Sequence, residues 1–285
     1  MNARVTAAAT GAAPPASRSK PPRDRGLLIR RLVVPATLLV AWVAVSEARL
    51  VRPIFLPPPA AIAAAFEGMA PQLPGAILTT VTLTVIGWAL GVAIGMAFGL
   101  LMAYSRLARD YIGTIFDFLR PVPVYALIPL FILWFGVSTR APQIAIIALG
   151  TAVILGVTTL EAVRNVPPIY VRAALTLGAS RAVIYRTVIV PSILPHLIGA
   201  IRVAAAVAWG LDVAAEFMGS SVGLGYLIIL QQTYLRTAGI FLLVAIYSVL
   251  AVILDAIIAR VERRITGWTE RRGGVGIVAS MVGSR

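Results

Sequence analysis

Few residues of this 285-residue chain could do chemistry, and their scarcity excludes most reaction classes. There is no cysteine, so no disulfide framework, thiolate metal site or thiol nucleophile exists. The one histidine, His196, cannot make a metal site or a histidine pair alone, and following Pro195 it reads as a polar group near a helix end. The one lysine, Lys20, lies between Ser19 and Pro21, which rules out a GxxxxGK[ST] phosphate loop. There is no HExxH, and one histidine, no cysteine and scattered acids give a membrane-embedded enzyme weak support. No catalytic or metal-ligating set is therefore expected, and no cofactor is expected on this chain.

The charged residues that remain of interest sit inside apolar stretches, where an ionisable group is costly and functional by default. Arg202 and Asp212 fall within one such stretch. Ten residues apart, they stand about 15 Å from each other along a helix and cannot pair directly. Arg202 has two open roles, contact with an anion or a structural pair with another helix. Its place two turns past Pro195 favours the pair. Asp212 would repel an anion unless paired. Glu216 opens a segment ending in Gly223 and Gly225, whose flexibility suits a gate or a contact with a partner protein. Asp255 lies little more than a turn before Arg260 and is expected to pair with a basic residue near the membrane interface.

These residues are positioned by membrane helices. Hydrophobic residues make up 59% of the chain and charged ones only 13%, with mean hydropathy +0.92. A water-facing surface needs about 25% charge, so lipid is the expected solvent. The net charge of +14 does not indicate nucleic-acid binding, because the basic residues lie between apolar runs and not on a polar domain. Six segments of about 20 residues are long enough to cross: 32–48, 77–103, 121–137, 142–163, 190–213 and 238–259. Pro121, Pro123 and Pro129 interrupt the third. Gly87, Gly91, Gly95 and Gly99 stripe the second and predict close helix packing or a dimer contact.

The fold class is thus all-α, a polytopic membrane protein of six transmembrane helices. Residues 1–26 read as a disordered cytoplasmic tail, 27–265 as the transmembrane domain and 266–285 as a second cytoplasmic tail. With both termini inside, the basic residues divide as seven before the first span, three in 104–120, four in 164–189 and six after the last. The opposite face holds only Arg49, Arg52, Arg140 and Arg236, and this asymmetry favours the orientation with both termini inside.

The loop 164–189 is long for a helix connection. Val171–Leu177 has good helix formers, Gly178 supplies a turn, and Ser180 can cap a second short helix to Thr187. Pro191 and Pro195 mark the start of the fifth span. Small Ala173, Ala174 and Ala179 around the glycine make a compact knob that can seat in a partner's groove. An amphipathic stretch lying on the headgroups is the rival reading.

This loop resembles the cytoplasmic signature of binding-protein-dependent ABC importer permeases: EAA, three residues, Gly, nine residues, then I-x-LP. Ala173 and Ala174 match the alanines, Gly178 the glycine, and Val188, Val190 and Pro191 the end of the pattern. Arg172 stands where the family usually has glutamate, which implies a compensating acidic residue on the partner. FLPPPAAIAAAF (55–66), RPVPVYALIPLFILWFG (120–136), AAEFMGSSVGLGYLI (214–228) and VERRITGW (261–268) are similar to the nitrate, sulfonate, taurine and bicarbonate branch.

The resemblance implies a type I (MetI-like) permease fold with a coupling loop formed by Arg172, Ala173, Ala174, Leu175, Gly178, Ala179, Ser180 and Pro191. It makes Arg202, Asp212, Glu216, Gly223 and Gly225 candidates for the translocation path or gate. It further implies a second permease subunit, as a homodimer, two ATP-binding subunits carrying ATP and Mg, and a periplasmic or lipid-anchored solute-binding protein. The site of action is a bacterial inner membrane, and the cargo a small solute, an organic or inorganic anion. A secondary transporter, which would show inverted repeats, and a membrane-embedded enzyme are the alternatives.

Overall fold

A computed structural model describes residues 25–265, apart from Ser138. The expected tails therefore lie outside the described residues, except Arg25 and Gly26, which open the first helix. Among the described residues every element is helical.

Helix α1 (Arg25–Glu47) forms one compact unit with the residues up to Val51. Its apolar stretch, Val33–Glu47, is shorter than the other long helices.

The second unit begins at Arg52. Its elements are α2 (Pro59–Met69), α3 (Leu73–Tyr104), α4 (Arg106–Leu119), a 3-10 turn (Val124–Leu127), α5 (Ile128–Phe135) and α6 (Ala141–Arg164). These are followed by α7 (Pro168–Thr176), α8 (Arg181–Ile184), α9 (Val190–Gly219), α10 (Leu224–Thr233) and α11 (Thr237–Ile265). Four helical stretches are long and apolar enough to cross a membrane: α3, α6, the continuous run Arg181–Gly219, and α11.

The frame is the pair α3–α6. The glycine stripe of α3 lies buried against α6, and a Cβ at Gly87 would stand 2.7 Å from Ile147 Cβ, one at Gly99 2.5 Å from Thr159 Cβ. The stripe thus serves close packing within the chain. Helix α9 closes on this pair, with Ile128, Ile146, Ile147, Ala208 and Leu211 in one core. A second core joins α2, α3, α9, α10 and α11 through Met69, Leu73, Trp209, Leu224, Leu243 and Tyr247.

The segment expected to be the third span does not cross as one straight helix. Pro121, Pro123 and Pro129 remove backbone donors, so it advances through a turn at 120–122, the extended Pro123, the 3-10 turn and the eight-residue α5. Its contacts climb steadily along α6. Arg120 reaches Glu161 at 3.7 Å, Val124 lies beside Gly150, Ile128 packs on Ile146 and Ile147, and Ile132 meets Gly219, whose carbonyl accepts from Gln143. Residues 120–135 therefore traverse the depth of α6 in the opposite direction. The 3-10 turn rises about 2.0 Å per residue against about 1.5 Å for an α-helix, so it covers the distance in fewer residues.

Helix α4, read from the sequence as part of a loop, is capped by Ser105, whose Oγ accepts from the Ala108 N–H at 3.3 Å. It makes a 91° bend with the segment Val124–Phe135. Its near end follows directly on α3, and the Arg120 just beyond its far end reaches the last turn of α6. Helix α4 thus lies across the ends of these two spans.

Candidate functional site

The 164–189 segment folds as a helical hairpin. Pro167 and Pro168 start α7, since proline fits a first helical turn. Gly178 ends the helix at φ +76, a left-handed conformation that costs an L-residue roughly 1–2 kcal/mol. Here the chain reverses, with the Gly178 N–H donating to the Leu175 carbonyl at 3.0 Å and the Ala179 N–H to that of Ala174 at 3.1 Å. The Ser180 Oγ then accepts from the Val183 N–H at 3.4 Å and caps α8, as its position in the sequence suggested.

The second helix does not stop at Thr187. It passes through a π-helical turn, Tyr185–Ile189, straight into α9, giving one 39-residue helix from Arg181 to Gly219. The reason lies at Pro191. Proline cannot donate to the ladder, and the wider i→i+5 turn just before it, with the Val190 N–H bonded to the Tyr185 carbonyl, accommodates the break without ending the helix. At 1.5 Å per residue the run is about 58 Å long, well beyond a hydrocarbon layer of about 30 Å. Its first turns therefore project from the membrane.

Arg172, Ala173, Leu175, Gly178 and Ser180 are exposed on the hairpin, with Ala174 and Ala179 half-buried and Pro191 exposed at its base. Leu177 shows 87% of its surface and stands beside exposed Leu175 at the tip. Apolar side chains exposed together at such a tip suit a contact with a protein or with the membrane surface. The hairpin is tied to α3 by Tyr185, whose hydroxyl donates to the Leu100 carbonyl at 2.5 Å and whose ring meets Tyr104 edge-on at 5.3 Å. Tyr185 was not singled out from the sequence, because its partner lies 85 residues away.

A second constellation lies deep in the bundle. Asp212 and Glu216, one turn apart on α9, are 0% and 1% exposed. Thr80 on α3 donates to Glu216 Oε1 at 2.7 Å and accepts from the Leu224 N–H at 2.9 Å. The Gly225 N–H donates to Glu216 Oε2 at 2.6 Å. The Tyr247 hydroxyl on α11 lies 3.2 Å from Glu216 Oε2 and 3.3 Å from Asp212 Oδ2, and its single proton serves one of them at a time. The Thr84 hydroxyl on α3 is buried beside the Asp212 carboxylate. Gly223, at φ +127, and Gly225 are glycines because a Cβ at either would fall on the Glu216 side chain. Glu216, Gly223 and Gly225 thus form one knot, in which a buried carboxylate holds the start of α10.

Arg202 stands apart from this knot. It faces α11 and donates to both carboxylate oxygens of Asp255, at 2.8 and 2.7 Å, with Glu262 at 3.7 Å. Of its two open roles, the inter-helix pair is the one seen. Asp255 does not pair with Arg260, which donates instead to the Ala256 carbonyl. Five residues along a helix turn Arg260 about 140° away from Asp255. On α9 itself, Gly199, Val203, Ala206 and Gly210 recur every three or four residues as an exposed stripe, with Arg202 at its edge. Tyr125, half-exposed in the 3-10 turn, brings its hydroxyl against Gly210. No group of three or more acids, histidines or cysteines suited to a metal occurs among the described residues.

Residues 91–267 match the family described as binding-protein-dependent transport system inner membrane component. The chain is 30% identical over 240 residues to the taurine transport system permease protein TauC of Escherichia coli K12, covering 82% of this chain and 87% of that one. It is also 30% identical over 255 residues to the putative aliphatic sulfonates transport permease protein SsuC of Bacillus subtilis 168, covering 89% and 92%. A formylaminopyrimidine transport permease protein, ThiX of Halalkalibacterium halodurans, is 27% identical over 236 residues, covering 82% and 94%. Among solved structures, a chain of the inward-facing MetNI methionine ABC transporter superposes with a TM-score of 0.61 at 21% identity, covering 70% of this chain and 98% of that one. This last likeness shows the fold.

Proposed function

From the premise that this chain belongs to the family of binding-protein-dependent transport system inner membrane components, we propose how it works and what it carries. It is the membrane-spanning permease subunit of an ATP-driven importer, not an enzyme, and a separate subunit hydrolyses the ATP. We infer that two copies form the pore, each seating the hairpin 168–184 in one of two ATP-binding subunits, which hold ATP and Mg. A periplasmic or lipid-anchored solute-binding protein delivers cargo to the opposite face, and both termini are cytoplasmic.

One observation carries the mechanism: the hairpin and the fifth span share a single helix from Arg181 to Gly219. When the ATP-binding subunits close, a push on Leu177 and its neighbours reaches α9 as a rigid-body movement, with Tyr185 passing part of it to α3. Arg172, which stands in place of the glutamate of the EAA pattern, meets an acidic residue of the ATPase.

The path follows the α9 stripe Gly199, Val203, Ala206 and Gly210 and the 3-10 turn facing it. Irregular backbone at membrane depth is tolerated only where it meets protein or a water-filled cavity, so residues 121–127 do not face lipid. Arg202 borders this path, held in place by Asp255. Glu216, enclosed in the bundle, acts on the gate by fixing the Gly223–Gly225 turn, without lining the path.

The cargo is a small organic anion of the sulfonate class. The relatives named for taurine and aliphatic sulfonates support this reading. Reconstitution of the chain with its ATPase and solute-binding protein tests it. Sulfonate-stimulated ATP hydrolysis and uptake are expected. ATP-independent uptake would contradict the coupling, and a binding protein that retains only uncharged ligands would contradict the cargo.

A further inference from the structure

We propose that the cavity between α4 and α6 holds the zwitterionic headgroup of a phospholipid of the phosphoethanolamine type. The cavity measures about 410 Å³ and is lined by Arg109, Arg120 and Arg164 and by Asp110, Asp117 and Glu161. Three cations and three anions share one space, yet only Arg120 and Glu161 approach within ion-pair distance, at 3.7 Å. Arg109, Arg164, Asp110 and Asp117 have no ionic partner among the described residues. Arg109 is braced from behind, its Nε donating to the Met102 carbonyl at 3.2 Å and its Nη2 to that of Ala103 at 3.5 Å. The guanidinium is thereby fixed with donors left over. Charges of both signs, separated across a cavity, match a ligand that carries both.

The surroundings identify the source as lipid. Leu107, Tyr111, Ile115 and Phe118 form an exposed apolar stripe along α4, while the cavity residues Asp110, Gly113 and Asp117 lie on a different face. A helix so divided, lying across the ends of α3 and α6, settles at the membrane surface with its apolar side in the acyl region. That depth is where headgroups lie. Phosphate engages the arginine forks, and the primary amine donates to Asp110 and Asp117.

The full chain, purified in a detergent that retains lipid, can be titrated with phosphatidylethanolamine, phosphatidylglycerol and free phosphoethanolamine, and bound species counted by native mass spectrometry. One phosphatidylethanolamine should be retained about tenfold more tightly than phosphatidylglycerol. Arg164→Gln should weaken it by a similar factor, Arg164→Lys should largely restore it, and Asp117→Asn should abolish the preference for the amine. Helical content by circular dichroism confirms that each variant is folded. Equal retention of the two lipids, or retention indifferent to Arg164→Gln and Asp117→Asn, would overturn the proposal. Free phosphoethanolamine binding as tightly as the lipid would overturn the lipid source. Loss of ATPase association in Arg164→Gln with lipid retention unchanged would reassign the cavity to a protein contact.

Discussion

Arg202 on α9 and Asp255 on α11 are joined by two parallel hydrogen bonds of 2.8 and 2.7 Å, across 53 residues of sequence. Both side chains remain partly open on the surface of the chain, and a charge left open to lipid is costly. The pair therefore marks a face turned toward water or protein, which agrees with the small-residue stripe beside it.

Removing Arg202 strips Asp255 of its ion-pair partner, and removing Asp255 leaves Arg202 only the longer 3.7 Å contact with Glu262. Asp255→Ala and Arg202→Ala should each lower uptake and the midpoint of thermal unfolding. The exchange Arg202→Asp with Asp255→Arg should recover a large part of the stability. Uptake in vesicles and melting of the purified protein read both effects. Stability unchanged by either single substitution would remove the pair from the account.

Glu216 anchors the start of α10 to α3 and α9. Glu216→Ala strands the Gly225 N–H and the Thr80 hydroxyl, at roughly 1–3 kcal/mol for each buried unpaired group. Gly225→Ala places a methyl 2.8 Å from Glu216 Cβ and should cost about 1–3 kcal/mol through overpacking. Chemical denaturation in detergent measures both. Glu216→Gln, which keeps an acceptor for Thr80, should lose less than Glu216→Ala.

The limits of the sequence are visible at these same residues. Glu216 was recognisable as an unusual acid, but its partners Thr80 and Tyr247 lie 136 and 31 residues away and only packing joins them. Gly223 and Gly225 suggested flexibility, whereas they are glycines because Glu216 occupies the space a Cβ would need. The four long crossings and the hairpin were legible because each rests on local signals: apolar length, a left-handed glycine and a serine cap. Helix α4 was hidden because a search for 20-residue apolar runs passes over a 14-residue amphipathic helix, although Leu107, Tyr111, Ile115 and Phe118 already mark its stripe. The prolines correctly marked 121–137 as irregular, and contacts with α6 were needed to see how it still crosses.

Gly178 separates a backbone requirement from a contact requirement. No atom lies within 4 Å of a Cβ built there, so a side chain meets only strain inside this chain. Gly178→Asn, which tolerates the left-handed region, should fold normally and retain much of its uptake. Gly178→Arg should insert normally and abolish uptake, because its bulk projects into the ATPase groove. Uptake assays beside membrane-insertion assays distinguish the two, and normal uptake by Gly178→Arg would refute the seating of this hairpin.

Tyr185→Phe removes the bond to the Leu100 carbonyl with little change of shape. Its stability cost should be modest, about 0.5–1.5 kcal/mol. The sharper effect should be on coupling, with more ATP consumed per solute moved. The ratio of hydrolysis to uptake in proteoliposomes is the measurement.

The most direct test of force transfer through the Arg181–Gly219 helix uses Leu177. Because the chain contains no cysteine, Leu177→Cys places a single thiol at the hairpin tip. In inverted vesicles it should react with a membrane-impermeant maleimide, and the ATP-binding subunit should shield it. It should also cross-link to that subunit, with a yield that changes when ATP replaces ADP. Labelling of this thiol only from the outer face, or a cross-link yield indifferent to nucleotide while uptake continues, would contradict the account.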